Sequence, residues 1–294
     1  FPTIDPDNPY KLTDAERLVI DKLKLSFNNS KRLQRHVRFM YAKGNMYLVY
    51  NGNLLYHGCI AMNEDGTFQS FVVDNQDFAA KAFMDRVDRL ARQGYFGAEG
   101  SAEKQYGLDA MWYLWSGAQS PLFGKDKMAT FERYFIADKS THTETRKAYY
   151  SLRNDETIAK KILMEFGLDP ETGHIINGHV PVKVKQGESP IKAGGCLLVI
   201  DGGFAKAYQD VTGIAGYTLI FNSHGLLLAS HQPFESTQKA IEDNVDVLSK
   251  HEILETMPKR LRVRDTDQGK KILTRINDLQ NLLAAYRAGV IKVN

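Results

Sequence analysis

The sequence predicts an α/β or α+β domain that carries a helical insertion. Three observations lead there. Helical periodicity fills residues 12–44, 76–118 and 155–170. Short apolar runs divided by Gly, Asn, Ser and Pro turns fill 174–234. Helical patterning then returns over the last sixty residues.

The first helical stretch opens on Thr13 and Glu16, which have capping-box spacing, and Gly44 is its expected stop. "NNS" at 28–30 is an expected break within it. "MYLVY", "NGN" and "LLYHGCI" then predict a β-hairpin over 46–60. Over 76–118 the period changes, and Phe78, Ala82, Phe83, Val87, Leu90 and Ala91 share one helical face. A second apolar helix, "GLDAMWYLWSG", follows, and 119–150 reads as loop-rich. "DETIAKKILMEFGLDP" predicts an amphipathic helix ended by Gly167 and Pro170. "HIING", "VPVKVK", "CLLVID", "GYTLIF" and "GLLLASH" predict strands, whereas "KAIEDNVDVLSKHEIL" and "ILTRINDLQNLLAAYRAG" predict helices.

The formal charge of +3 gives no global argument for nucleic acid or membrane binding. The longest apolar runs are too short to span a bilayer, and no secretory signal is visible. Cys59 and Cys196 lie far apart and form no CxxC pair, so a reducing cytoplasm is the expected setting. Common catalytic motifs fail. "SPLFGKD" has the wrong glycine spacing for a phosphate loop, "TGIAG" lacks a dinucleotide fingerprint, and neither HExxH nor GxSxG occurs.

Four of the eight histidines, His36, His142, His224 and His251, sit among polar residues and are expected at the surface. His57 in "LLYHGCI" and His179 in "IINGHVPVK" instead follow apolar strand-like runs, each beside a glycine. Gly178 is expected to let the backbone bend sharply there, and Pro181 to stiffen the exit. Two strand-end imidazoles could ligate one metal ion, or be structural histidines with backbone partners.

"YHGCI" and "NGHVPVK" resemble the later two metal-ligand motifs of calcineurin-like metallophosphoesterases. Within that superfamily, four stretches are similar to class III fructose-1,6-bisphosphatases of bacteria. They are "SPLFGKDKMATFERYF", "EFGLDP", "GHIINGHVPVKVKQGESPIKAGG" and "DGGFAKAYQDVTGIAGYTLIFNSHGLLLASHQPF". The resemblance implies the C-terminal part of a phosphoesterase β-sandwich flanked by helices. Residues 1–75 would supply a helix and hairpin of the core, 76–165 the helical insertion, 166–235 the β-rich core and 236–294 a mostly helical extension. It implies hydrolysis of fructose 1,6-bisphosphate in gluconeogenesis at two metal ions, Mn²⁺ by expectation, with His57 and His179 among the ligands.

The family's Asp-x-His, Gly-Asp-x-x-Asp and Gly-Asn-His motifs do not occur here. The chain also begins with Phe1 rather than Met. Both point to an N-terminal portion of the same protein as a missing partner, and to an isolated chain that is inactive. A binding or assembly module, and a phosphoesterase with another substrate, are the alternatives. For a sugar bisphosphate the expected contacts are Lys125, Lys127, Arg133 and Lys183, with Asp201, Gly202 and Gly203 at a strand-to-glycine turn that could bring N–H groups to an anion. Each could equally be solvated charge or an ordinary turn. "PKRLRVRD" at 258–265 reads as a solvated face. A homo-oligomer is a further expectation, since strands of a split sandwich would need cover.

Overall fold

The computed structural model describes residues 2–118, 120–122, 124–202, 205–233, 236–244 and 249–291. It divides into two compact units, residues 1–45 and 46–294. The first holds α1 (Asp14–Asn29) and α2 (Lys31–Lys43). Thr13 and Glu16 form the expected capping box, with Glu16 N donating to Thr13 Oγ1 at 3.3 Å and Thr13 N to Glu16 Oε2 at 2.7 Å. Ser30 is the break that the sequence predicts, because its hydroxyl caps α2 at Leu33 N.

The second unit begins with β1 (Tyr47–Tyr50), β2 (Asn53–Tyr56), β3 (Ser70–Val73) and β4 (Gln76–Ala79). The helices α3 (Ala80–Phe96), α4 (Ala102–Ser116), α5 (Thr130–Phe135), α6 (Tyr149–Leu152) and α7 (Glu156–Glu165) follow. Then come β5 (His174–Asn177), β6 (Ile191–Lys192), β7 (Leu197–Val199), α8 (Lys206–Thr212), β8 (Gly216–Asn222) and β9 (Gly225–His231). The chain closes with α9 (Thr237–Glu242), β10 (Ser249–Thr256) and α10 (Asp267–Arg287).

The main sheet has the order β1-β2-β5-β7-β6, in which β2, β5 and β7 run parallel. Strand alternation explains the layers. Leu54, Tyr56, Ile175, Leu197 and Val199 point to one face, where they pack with Ile162 and Leu163 of α7. Their neighbours Leu55, Ile176 and Leu198 point to the other and meet Leu226, Leu219, Phe221 and Leu254 of a second, antiparallel sheet ordered β10-β9-β8. The strands are therefore apolar on both faces, which is why Ile175–Ile176 and "CLLVI" read as unbroken runs. Each fully buried Leu or Ile contributes about 1.5–3 kcal/mol relative to exposure. A reciprocal pair, Asn51 N to Asp267 Oδ2 at 2.7 Å and Asp267 N to Asn51 Oδ1 at 3.0 Å, ties the start of α10 to the β1–β2 turn.

Four expectations need correction. Residues 76–79 are strand, not helix, because Asp74 and Asn75 take positive φ and turn β3 back into β4. "VPVKVK" forms no strand: His179 at φ 65° and Pro181 interrupt extension, and Val184–Gln186 make a 3-10 turn. The "KAIEDNVDVLSKHEIL" stretch is helical only at α9. Its end is the edge strand β10, which pairs with β9 across a bulge at Ile253/Glu255 and presents Lys250, His251 and Glu252 to solvent. Residues 245–248 lie outside the described residues. Of the four histidines expected at the surface, His142 is half-buried, held by a 2.8 Å hydrogen bond to Ile136 O. Among the described residues, no helix is long and apolar enough to cross a membrane.

Candidate metal and substrate site

The three parallel strands end together, and the chain leaving each carries a side chain suited to chemistry. His57 follows β2, His179 lies two residues past β5, and Asp201 lies two residues past β7. Carboxyl ends of adjacent parallel strands are where open α/β sheets build their sites. Backbone hydrogen bonds fix the ends against one another: Gly178 N to His57 O at 2.9 Å, Ile200 N to Asn177 O at 2.9 Å, and Val182 N to Asp201 O at 2.8 Å.

His57 Nε2 and His179 Nδ1 stand 3.1 Å apart, with the rings edge-to-face at 76°. One ring's N–H can donate to the other's lone pair. The separation is also that of two ligands on one ion, since nitrogens each roughly 2.1 Å from a metal in neighbouring positions stand about 3 Å apart. His57 is exposed and His179 half-buried. Burial lowers the His179 pKa from its ordinary value, the charges of His57 and Lys125 lower it further, and Asp201 opposes them. A neutral imidazole is the form that binds metal. The residues therefore fit a metal at this edge as a partial donor set. Among the described residues, no group of three or more His, Cys, Asp or Glu could hold an ion.

The sharp bend expected at Gly178 falls on His179, whose φ of 65° is left-handed backbone that non-glycine residues rarely adopt. Gly58 has a different reason for lacking a side chain: a Cβ there would collide with the carbonyl oxygens of Leu122 and Pro121. That close approach lets Cys59 N donate to Pro121 O at 2.9 Å and packs the 120–122 segment against Gly58 and Cys59. Cys59 is buried and unpaired, and burial pushes its thiol up to about 12.

Beneath the histidines lies a polar network that the sequence did not reveal. Asn177 Nδ2 donates to Gly58 O at 3.1 Å and to the Tyr149 hydroxyl at 2.8 Å, and that hydroxyl meets Tyr56 OH at 2.7 Å. All three side chains are buried, and burial raises both tyrosine pKa values. Two acceptors facing one amide nitrogen fix which way Asn177 points. An amide closing an apolar strand was the available signal.

The expected substrate contacts separate into groups. Lys125 reaches the histidine edge, where its charge acts on His179 while its Nζ pairs with Glu144 at 2.7 Å. Burial pushes the Glu144 pKa up, but bonds from Lys125 and Ala129 N outweigh it and the net shift is downward. Lys127 donates to Thr141 O at 2.9 Å, and Arg133 reaches Glu144 at 3.3 Å, so both make contacts within their own segment. Lys183 is half-buried beside Val182, whose N–H bonds Asp201 O. Gly202 is buried where a Cβ would stand 2.6 Å from Gly216 Cα, so close packing requires a glycine there. Gly203 lies outside the described residues. The 258–265 stretch is largely exposed, as a solvated face.

The comparisons with known proteins agree on one family. The Firmicute fructose-1,6-bisphosphatase family matches residues 1–288. Curated relatives named fructose-1,6-bisphosphatase class 3 include one from Clostridium novyi (strain NT), 59% identical over 292 residues that cover 99% of this chain and 44% of that protein. Those from Alkaliphilus metalliredigens (58% identical, covering 99% of this chain and 44% of that protein) and Listeria monocytogenes serotype 4b (55%, covering 100% and 45%) match likewise. The chain thus spans under half the length of the relatives it matches. No solved structure matches it. An α/β chain with paired strand-end histidines, matched along nearly its whole length, belongs to the Firmicute fructose-1,6-bisphosphatase family.

Proposed function

We propose that this chain is the C-terminal part of a metal-dependent phosphatase that hydrolyses fructose 1,6-bisphosphate to fructose 6-phosphate in gluconeogenesis. The observation that carries the reading is the 3.1 Å approach of His57 and His179 at the carboxyl edge of β2 and β5, in a chain of this family. When bound, a pair of divalent ions, Mn²⁺ by preference, supplies Lewis-acid polarisation of the phosphoryl group and acidifies water. His57 and His179 offer two neutral nitrogens to it, and depression of the His179 pKa keeps that imidazole unprotonated. Lys125 contributes a cation toward the phosphoryl oxygens, and Glu144 orients its ammonium group. Asp201 and Lys183 border the same edge, Lys183 as a cation for the sugar phosphate.

Two imidazoles are few ligands for a dinuclear centre, so the isolated chain is inactive in this account and the remaining ligands come from the rest of the protein. For the chain alone, a binding or assembly module is the second reading, since this chain spans under half the length of the relatives it matches. Two free cysteines support a reducing, cytoplasmic setting. The test is Mn²⁺-dependent phosphate release from a panel of sugar phosphates by the longer protein. Activity should be highest on fructose 1,6-bisphosphate and fall at least about a hundredfold in His57→Ala and His179→Ala. Unchanged metal dependence in either variant would overturn the assignment.

A further inference from the structure

An open cavity of about 520 Å³ is lined by Glu64, Arg146, Lys147, Ala148, Tyr150 and Ser151. Arg146 and Arg153 both lie against the Tyr150 ring, 5.9 and 5.1 Å from its centroid. Arg153 is 7% exposed, and its Nε and Nη1 have no hydrogen-bond partner. Among the described residues, no carboxylate lies within ion-pair distance of Arg146, Lys147 or Arg153. Arg146 and Lys147 in the lining therefore face the cavity without an ion-pair partner among the described residues, and Arg153 adds a further cation behind the Tyr150 ring. The one carboxylate at the cavity, Glu64, is exposed.

The cavity is also joined to the first site. Lys125 and Arg146 stand opposite one another in an antiparallel bridge, held by Asp126 N to Thr145 O and Lys147 N to Gly124 O, each at 2.9 Å. Directly opposed residues project on the same face. Arg146 of the cavity therefore shares a face with Lys125, whose charge acts on His179 and whose Nζ is paired with Glu144.

We propose that this cavity is a phosphoryl-binding subsite for a phosphorylated sugar. Arg146 and Lys147 take the phosphoryl oxygens, Arg146 with the planar fork suited to them. Glu64 accepts hydrogen bonds from sugar hydroxyls. The sugar rests on the phosphatase reading above, whereas the affinity for phosphate does not. Two sources share this chemistry: the phosphate of the bisphosphate substrate that is not cleaved, or a separate phosphorylated effector.

The test is calorimetric titration of this chain with inorganic phosphate and with fructose 1,6-bisphosphate, both in EDTA. One binding site per chain is expected, weakened about tenfold or more in Arg146→Gln and in Lys147→Gln, with partial recovery in Arg146→Lys. Arg146 is exposed and Lys147 half-buried, so thermal melts of the variants should match the parent. Unchanged affinity in both glutamine variants, or no binding of either anion, would overturn the proposal. Repeating the bisphosphate titration with Mn²⁺ separates the sources. Tighter binding at the same one-to-one stoichiometry, displaced by fructose 6-phosphate, identifies the substrate's second phosphate, whereas a second independent site identifies an effector. If Mn²⁺ acts equally on the parent and on His179→Ala while Arg146→Gln still loses binding, the metal reading fails and the anion subsite stands.

Discussion

His57 Nε2 and His179 Nδ1 approach to 3.1 Å although 122 residues separate them in the chain. The approach is built by the parallel pairing of β2 with β5 and by the Gly178 N to His57 O hydrogen bond that continues the ladder past the strand ends. On the metal reading proposed above, both nitrogens would face one ion. His57→Ala and His179→Ala should each weaken Mn²⁺ binding by this chain at least about tenfold, read by titration against a metal-sensitive dye.

Left-handed backbone at His179 gives a second expectation. An alanine there keeps the steric penalty of φ 65°, whereas a glycine does not. His179→Gly should therefore be more stable than His179→Ala by about 1 kcal/mol in urea denaturation. Equal midpoints would show that the backbone relaxes once the imidazole is removed.

Tyr149 supports the site from below. Tyr149→Phe would deprive Asn177 Nδ2 of one acceptor and leave the Tyr56 hydroxyl without its partner, all in a buried setting. The expected cost is about 1–3 kcal/mol of stability, measured by denaturant unfolding. A cost near zero would mean that water enters and replaces the hydroxyl.

His174, at the start of β5, sets a pH dependence. Burial lowers its pKa, and Glu255 of β10, 4.0 Å from the His174 ring, only partly opposes that. A histidine whose folded pKa is depressed binds its proton more readily when unfolded. Its contribution is therefore complete above the unfolded value of about 6.5 and is lost as pH falls through the folded one. Stability should drop below about pH 6.5, and His174→Gln should flatten that part of the curve. An identical curve in the variant would remove His174 from the explanation.

Much of this architecture was legible because burial writes itself into pattern. Ile175–Ile176 and "CLLVI" are unbroken apolar runs because both faces of β5 and β7 are covered, and Thr13 with Glu16 announces α1. Less visible was β10, where charged residues on an exposed edge imitate a solvated helix. The β3–β4 hairpin was hidden too, since its turn is Asp74-Asn75, without glycine. At the site, the histidines stood out because each interrupts an apolar run, and Asp201 because it ends one. Lys127 and Arg133 stood out as cations beside a glycine in a stretch that resembles the family, whereas their contacts with Thr141 O and Glu144 depend on how 125–144 folds back on itself. Arg146 and Lys147 left no local signal, because tertiary folding against Tyr150 creates their cavity.

The central claim is that His57 and His179 share one metal ion. Pulsed electron paramagnetic resonance of the Mn²⁺-loaded chain tests it most directly, because each directly bound imidazole adds a ¹⁴N coupling. The account predicts two such couplings in the parent chain, one in His57→Ala, one in His179→Ala and none in the double variant. A parent spectrum without nitrogen couplings, or one that neither substitution changes, would contradict it.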